Sequence, residues 1–337
     1  MNTIFSYTFL KQQYRNRIFL VAFFLFFWLF QSALSQAQTF PTRVVDMVVP
    51  YAAGGSADVL GRVIAQELGK FLGQSVVVEL KPGAGGNVGA QYIAKSARAD
   101  GHNFLFASVS LATSVSLSKL NFDPRVDLVP IAGVATIPSL MVVSNDSPYK
   151  NIKDLVAAAK NKQAQITYGS SGNNTGSHLV GELFAEAAGI VATHVPYKGS
   201  GAVYIDLIPQ RVSVLFDVMG SALPQLQGGK VRALAITSLQ RSQSLPDILT
   251  VAEQGYPGFS FGTWFGFFAP KNTPAFAVKK LEQAVLHAIN TDSVKERLES
   301  VGAVLIPGPG PAFGEWYKLD VERWSKMVRL GKLQPTD

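Results

Sequence analysis

The sequence predicts an α/β fold made of two domains, each a mostly parallel sheet covered by helices. Three observations carry this. Short apolar runs alternate with amphipathic ones in a βαβα rhythm. Behind a leader of 37 residues, 300 remain, enough for two α/β cores. Two apolar stretches, residues 134–144 (VATIPSLMVVS) and 258–270 (GFSFGTWFGFFAP), read as crossings between the domains. The middle of the chain then forms one domain and the two ends form the other.

The elements follow in order. Lys11, Arg15 and Arg17 precede an unbroken apolar run at 18–30, and Ser35-Gln36-Ala37 supplies small residues at the cleavage positions. This is the pattern of a secretory signal cleaved after Ala37. The alternative is an uncleaved anchor, although the apolar run is shorter than the roughly 20 residues of a spanning helix. No Cys follows the apolar run, which excludes a lipoprotein anchor. Residues 44–49 read as a strand, 56–72 as a helix, and 75–80 (SVVVEL) as a buried strand. Residues 86–95 read as a helix and 104–107 as a strand. In the middle domain the expected order is helix 152–160, strand 165–169, helix 177–188, then strands 193–197, 212–218 and 231–237. Helices at 275–290 and 311–330 close the chain.

Composition narrows the function. The net charge is +7, near +4 without the leader, and no dense Lys/Arg run is present, so a nucleic-acid surface is not indicated. The chain has no cysteine. Disulfides, thiolate catalysis and Cys-ligated metal are therefore excluded. The four histidines, His102, His178, His194 and His287, show no metal-binding spacing, so neither metal nor cofactor is expected. No G-x-S-x-G elbow and no P-loop occurs.

What recurs instead is a strand that runs into a helix through small residues. Tyr51-Ala52-Ala53-Gly54-Gly55-Ser56-Ala57-Asp58 is the first such passage. A helix leaves its first N–H groups unpaired and its dipole makes that end partly positive, so the passage suits an anion. Asp58 would repel an anion and reads as a cap or loop-holder; the plain alternative is a well-capped turn. A second passage, residues 81–89 (KPGAGGNVG), misses the dinucleotide fingerprint by one position, with Val88 where the third glycine belongs. The third, residues 168–178, offers Gly172, Thr175 and Ser177 to a carboxylate. Its His178 reads as a neutral packing or capping residue or as a ligand contact. Tyr197 and Lys198 follow the next strand, and Asp217 ends another, where ligands of open α/β sheets bind. Loops without a nucleophile–base pair describe a binder rather than an enzyme.

PYAAGGSAD with Arg62, KPGAGGNVGA, FDPRVDLVPIAGV, YGSSGNNTGSHLVGELF, VPYKGSG and RALAITSLQRSQSLPDILTVAEQGYPGF occur in this order across the mature chain. The set resembles the Bug proteins, the TctC-like extracytoplasmic solute receptors of tripartite tricarboxylate transporters. The resemblance implies a type II periplasmic-binding-protein fold, with residues 38–140 and 259–337 as domain 1 and 141–258 as domain 2. It implies a periplasmic monomer that closes over a small carboxylate and delivers it to integral-membrane transporter subunits, or signals to a sensor kinase. It carries a ligand site onto Tyr51, Ala53, Gly55, Ser56, Ala57, Asp58 and Gly86 in one domain. In the other it points to Gly172, Thr175, Ser177, His178, Tyr197 and Asp217. The chain departs from the family pattern at Ala52-Ala53, at residues 206–211 (DLIPQR) and at Val218-Met219-Gly220. These departures bear on which acid is bound.

Overall fold

The computed structural model describes residues 40–161 and 165–335. The expected leader, residues 1–37, lies outside the described residues. Among the described residues no helix is long and apolar enough to cross a membrane.

The chain opens with β1 (Val45–Val49), α1 (Ser56–Leu72), β2 (Val76–Leu80), α2 (Asn87–Lys95), β3 (Asn103–Ser108) and α3 (Ser110–Leu117). Helix α1 matches its predicted span because both ends and one face are written chemically. Leu60, Ile64, Leu68 and Leu72 recur at helical spacing and are buried. Gly73 then adopts φ +68°, and its N–H closes on the Gly69 carbonyl at 3.0 Å. Glycine takes that left-handed stop without a Cβ penalty.

The strand β4 (Leu128–Ser144) follows, then α4 (Ile152–Lys160), β5 (Thr167–Ser170), α5 (Gly176–Ala188) and β6 (Thr193–Pro196). Next come α6 (Ser200–Leu207), β7 (Val214–Val218), α7 (Met219–Gln227) and β8 (Val231–Ile236). Strand β9 (Gly262–Pro270) leads to α8 (Ala275–Ala288), α9 (Asp292–Ser300), the short β10 (Val304–Leu305) and α10 (Gly310–Arg329).

The strands run in the order β2-β1-β3-β9-β4-β7-β5-β6, with β8 and β10 also paired to β4. The sheet is mixed, which corrects the expectation of a mostly parallel one. β1 lies parallel to β2 and β3, and β5 parallel to β6 and β7. β4 and β9 run antiparallel to all their partners. Their apolar composition reports burial on both faces, and burial does not encode direction. A second correction concerns β2. It is a strand, but Val77 is 48% exposed. Its β-branched run sits at the end of the sheet order, where one face and one edge stay open.

Two long strands, β4 and β9, organise the molecule. β4 pairs with β9 up to Pro138 and with β7 and β8 from Ser139 onward, so one strand serves both halves. β9 alternates its side chains across the sheet. Phe265 and Phe267 meet Phe106, at ring-centroid distances of 5.5 and 4.7 Å. Trp264 and Phe268 pack on Phe313 and Tyr317 of α10. A Cβ at Gly133 or Gly266 would lie 2.8 or 2.3 Å from the Phe313 ring, so these glycines let α10 approach the strands. Trp264 and Trp324 both donate their indole N–H to Asp320 Oδ2, at 2.8 and 2.9 Å.

Candidate functional site

β1, β3, β5, β6 and β7 all deliver their carboxyl ends to one cavity of about 660 Å³. That is the place where an open α/β sheet offers ligand sites. The wall includes Tyr51, Gly55, Ser56, Ala57 and Gly86 from the first half of the chain. Gly172, Thr175, Ser177, Tyr197 and Asp217 face them from the middle. Ala53, Asp58 and His178, also predicted, lie off the wall.

The first seat is the start of α1. The helix has no side-chain cap, so the N–H groups of Ser56 and Ala57 lack an intrahelical partner. Asp58 is buried beneath the loop. Its Oδ2 accepts from the Gly54 N–H at 2.9 Å, and its Oδ1 lies 2.7 Å from Arg62 Nε. The carboxylate therefore holds the turn and points its charge away from the seat. Tyr51 forms one side. Its hydroxyl accepts from the N–H and Oγ of Ser108, at 3.1 and 2.6 Å, and lies 2.6 Å from Ser110 Oγ. Burial pushes this phenol above its ordinary pKa. Gly86, at φ +105°, packs on the Tyr51 ring, where a Cβ would approach to 3.0 Å.

The second seat is the start of α5, also without a side-chain cap. Its hydroxyls are occupied with one another. Ser171, Thr175 and Ser177 form a triangle with edges of 3.2, 3.0 and 2.9 Å. Thr175 Oγ1 donates to the Gly172 carbonyl at 2.7 Å, and Ser177 Oγ accepts from the Ser171 N–H at 2.8 Å. These side chains shape the loop, and the first N–H groups of the helix, Gly176 and Ser177, remain for an anion.

Asp217 is 1% exposed and fully engaged. Ser200 and Ser221 donate to its Oδ1, each at 2.7 Å, and Tyr204 donates to its Oδ2 at 2.8 Å. Burial raises its pKa against the lowering effect of these bonds. Tyr197 donates its hydroxyl to Asp206 at 2.8 Å, and burial together with that carboxylate pushes it up to about 12. Among the described residues lining the cavity, Lys198 is the only cation. The wall thus offers neutral donors and helix ends rather than an arginine clamp.

His178 sits behind the second seat. It accepts from the Asn174 N–H through Nδ1 at 3.1 Å and stacks on His194. Burial lowers its pKa to about 4. Ser170 Oγ lies 2.6 Å from His194 Nε2, which imitates a nucleophile–base pair. Ser170 is fully buried and off the cavity wall, so no substrate reaches it there. No group of three or more metal-ligating side chains occurs among the described residues.

Sequence reasoning missed Ser108, Ser221, Thr263 and Phe265, which also line the cavity. Ser108 is the last residue of β3 and Ser221 lies in the first turn of α7, just past β7, a signal that was legible. Thr263 and Phe265 lie within the aromatic crossing, whose composition speaks of core. The two walls also touch directly. Ser56 Oγ donates to Ser221 Oγ at 3.1 Å, and a Cβ on Gly85 would come within 2.3 Å of the Asn173 carbonyl.

Residues 60–328 match the model of the tripartite tricarboxylate transporter family receptor. Among solved structures, the chain is similar to the periplasmic binding protein BugD, with 34% identity, a TM-score of 0.83, and coverage of 88% of this chain and 100% of that one. A Rhodopseudomonas palustris protein, Rpa4515, solved with adipate, gives 32% identity and a TM-score of 0.82 over 88% and 100% of the two chains. A second from that organism, MatC with bound malate, gives 31% and 0.80 over 86% and 100%.

Proposed function

The chain belongs to the tripartite tricarboxylate transporter receptor family, the Bug or TctC solute-binding proteins, and on that premise we propose that it captures a small carboxylate in the periplasm and presents it to integral-membrane transporter subunits. One observation carries this reading: two uncapped helix starts, α1 and α5, open on one cavity, and the Ser171, Thr175 and Ser177 hydroxyls beside the second start are held by protein partners. A carboxylate meets free N–H donors and a favourable dipole there, and it finds no uncompensated acidic group to repel it.

Capture proceeds by hinge closure. The domain division is 38–140 with 259–337 against 141–258, and the change of partners along β4 at Ser139 supports it. The acid settles on one helix start, the other domain closes, and water leaves the cavity. Each charge-assisted hydrogen bond contributes roughly 1.5–3 kcal/mol. A few of them support roughly micromolar affinity, near −8 kcal/mol. The mechanism needs no bond-making step, and the reading is of a receptor rather than an enzyme.

Similar proteins were solved with adipate and with malate, and these are the first acids to test. The refolded mature chain is screened by thermal shift against adipate, malate and their neutral diamides. The expected outcome is a raised midpoint with the acids alone, since ligand binding to the native state stabilises it by mass action. A shift with the diamides and none with any acid rules out the helix-start carboxylate site.

A further inference from the structure

The second seat is supported from behind by a cluster of ionisable groups, Tyr168 and His178 buried and His194 half-buried, that the capture mechanism does not use. The rings of His178 and His194 stack with centroids 4.0 Å apart and planes 21° apart. Tyr168 stacks with His194 at 5.0 Å. His178 comes from the first turn of α5, His194 from β6 and Tyr168 from β5. Each histidine reaches the seat loop by a hydrogen bond. His178 Nδ1 accepts from the Asn174 N–H, so that nitrogen carries no proton. His194 Nε2 meets Ser170 Oγ, and Ser170 Oγ both accepts from the Gly172 N–H at 3.2 Å and donates to the Gly172 carbonyl at 3.1 Å. The two histidines thus fix both sides of the turn between Ser170 and Asn174. Asn174 itself stands at φ +62°, a conformation that its neighbours must hold.

We propose that His178 and His194 are positioning residues for the second seat, holding the 170–174 loop in its binding shape only while both rings are neutral, so that acidification opens the seat. This deepens the carboxylate reading and rests on it. The chemistry is specific. Protonating His178 places a hydrogen on Nδ1, which then faces the Asn174 N–H donor to donor, and the bond is lost. Protonating His194 puts a cation face to face with the neighbouring imidazole. The other ionisable groups facing the pair are Glu182 of α5 and Tyr168 of β5. Glu182 Oε1 lies 3.8 Å from His178 Nε2 and accepts the Tyr168 hydroxyl. Glu182 favours the charged rings and burial opposes them. Burial dominates and lowers both histidines to about 4. The pair is therefore neutral at pH 7, and the seat is ordered there.

The test is a pH titration of the mature chain labelled with ¹⁵N at glycine, asparagine and histidine, followed by NMR without any ligand. The expected result is that both imidazoles titrate below about pH 5, and that the Gly172 and Asn174 amide resonances move with the same midpoint. The variants separate positioning from packing. His178→Asn keeps an acceptor where Nδ1 stood and cannot titrate, so the Asn174 amide stays protected at pH 7 and stops responding to pH. His178→Leu removes the acceptor, and Asn174 exchange at pH 7 rises about tenfold. His194→Gln, independent of both, abolishes the pH response of Gly172. Amides of Gly172 and Asn174 that stay fixed while the histidines titrate overturn the proposal, as do histidines titrating near 6.5. Because no ligand is present, this outcome is independent of the carboxylate screen. Failure of that screen with coupled amides removes the carboxylate and leaves the loop switch.

Discussion

At the scale of the residue, Asp217 and the Ser171, Thr175 and Ser177 hydroxyls are pinned by protein partners before any ligand arrives, whereas the buried Thr263 hydroxyl on the same wall has none. Asp217 shows what this costs and secures. Three hydroxyls converge on its carboxylate, and removing it leaves the buried Ser200 and Tyr204 donors without that acceptor, while Ser221 keeps the Val218 carbonyl at 3.0 Å. Asp217→Ala is expected to destabilise the chain by about 2–4 kcal/mol, while Asp217→Asn, which retains an acceptor oxygen, costs less than half of that. Urea unfolding of both variants decides it; equal losses would mean that the cavity left by the side chain matters and the hydrogen bonds do not. Ser56→Ala removes a hydroxyl that bridges the two walls, and about a three- to tenfold loss of affinity for whichever acid raises the thermal midpoint is expected with the fold intact. Unchanged calorimetric affinity removes Ser56 from the binding machinery. The histidines give a pH dependence with a definite sign. His178 is lowered to about 4 in the folded chain, against about 6.5 unfolded. The unfolded chain binds the proton first, so the stability is full above 6.5 and is lost as pH falls toward 4. For His178 alone the loss between pH 7 and 5 is about 2 kcal/mol, and His178→Asn is expected to flatten that slope in urea titrations.

At the scale of the element, helices and strands were legible where one chemical signal dominates. Helix α1 and helix α4 were read to the residue, the latter because Asn151 accepts from the Asp154 N–H at 2.9 Å and starts it. The short helices α3, α6, α7 and α9 were not read. α7 follows β7 at once, α6 follows β6 after a short turn, and both are little more than two turns long, so their periodicity has no room to show. The sheet was expected to be mostly parallel, and the antiparallel course of β4 and β9 left no mark in the sequence, since an apolar run buried on both faces looks the same in either direction. The crossings also depend on what is missing from the side chains. Gly266→Ala places a methyl 2.3 Å from the Phe313 ring and should cost about 1–3 kcal/mol. A urea midpoint that does not move would show that α10 shifts freely on β9.

At the scale of the whole molecule, the walls of the cavity meet through glycine. A Cβ on Gly220 would lie 2.9 Å from Ser56 Oγ, a contact between elements far apart in the chain. If the proposed capture holds, Gly220→Ala is expected to hinder closure and weaken binding of the screened acid about tenfold, with unfolding in urea unchanged. Solution scattering with that acid present checks the cause, since the variant should stay more expanded than the parent at the same saturation. The sequence by itself determined the family, the α/β class and the ends of helices such as α1, because glycine stops and hydrophobic periods are local and each is written within one or two turns. Only the tertiary structure decided which residues face the cavity. Asp58 and His178 sit within a turn of Ser56 and Ser177, yet both turn inward to hold loops, while Thr263 and Phe265 reach the wall from a strand that reads as core. Facing is settled by what packs against a side chain from distant parts of the chain, and no local pattern records it.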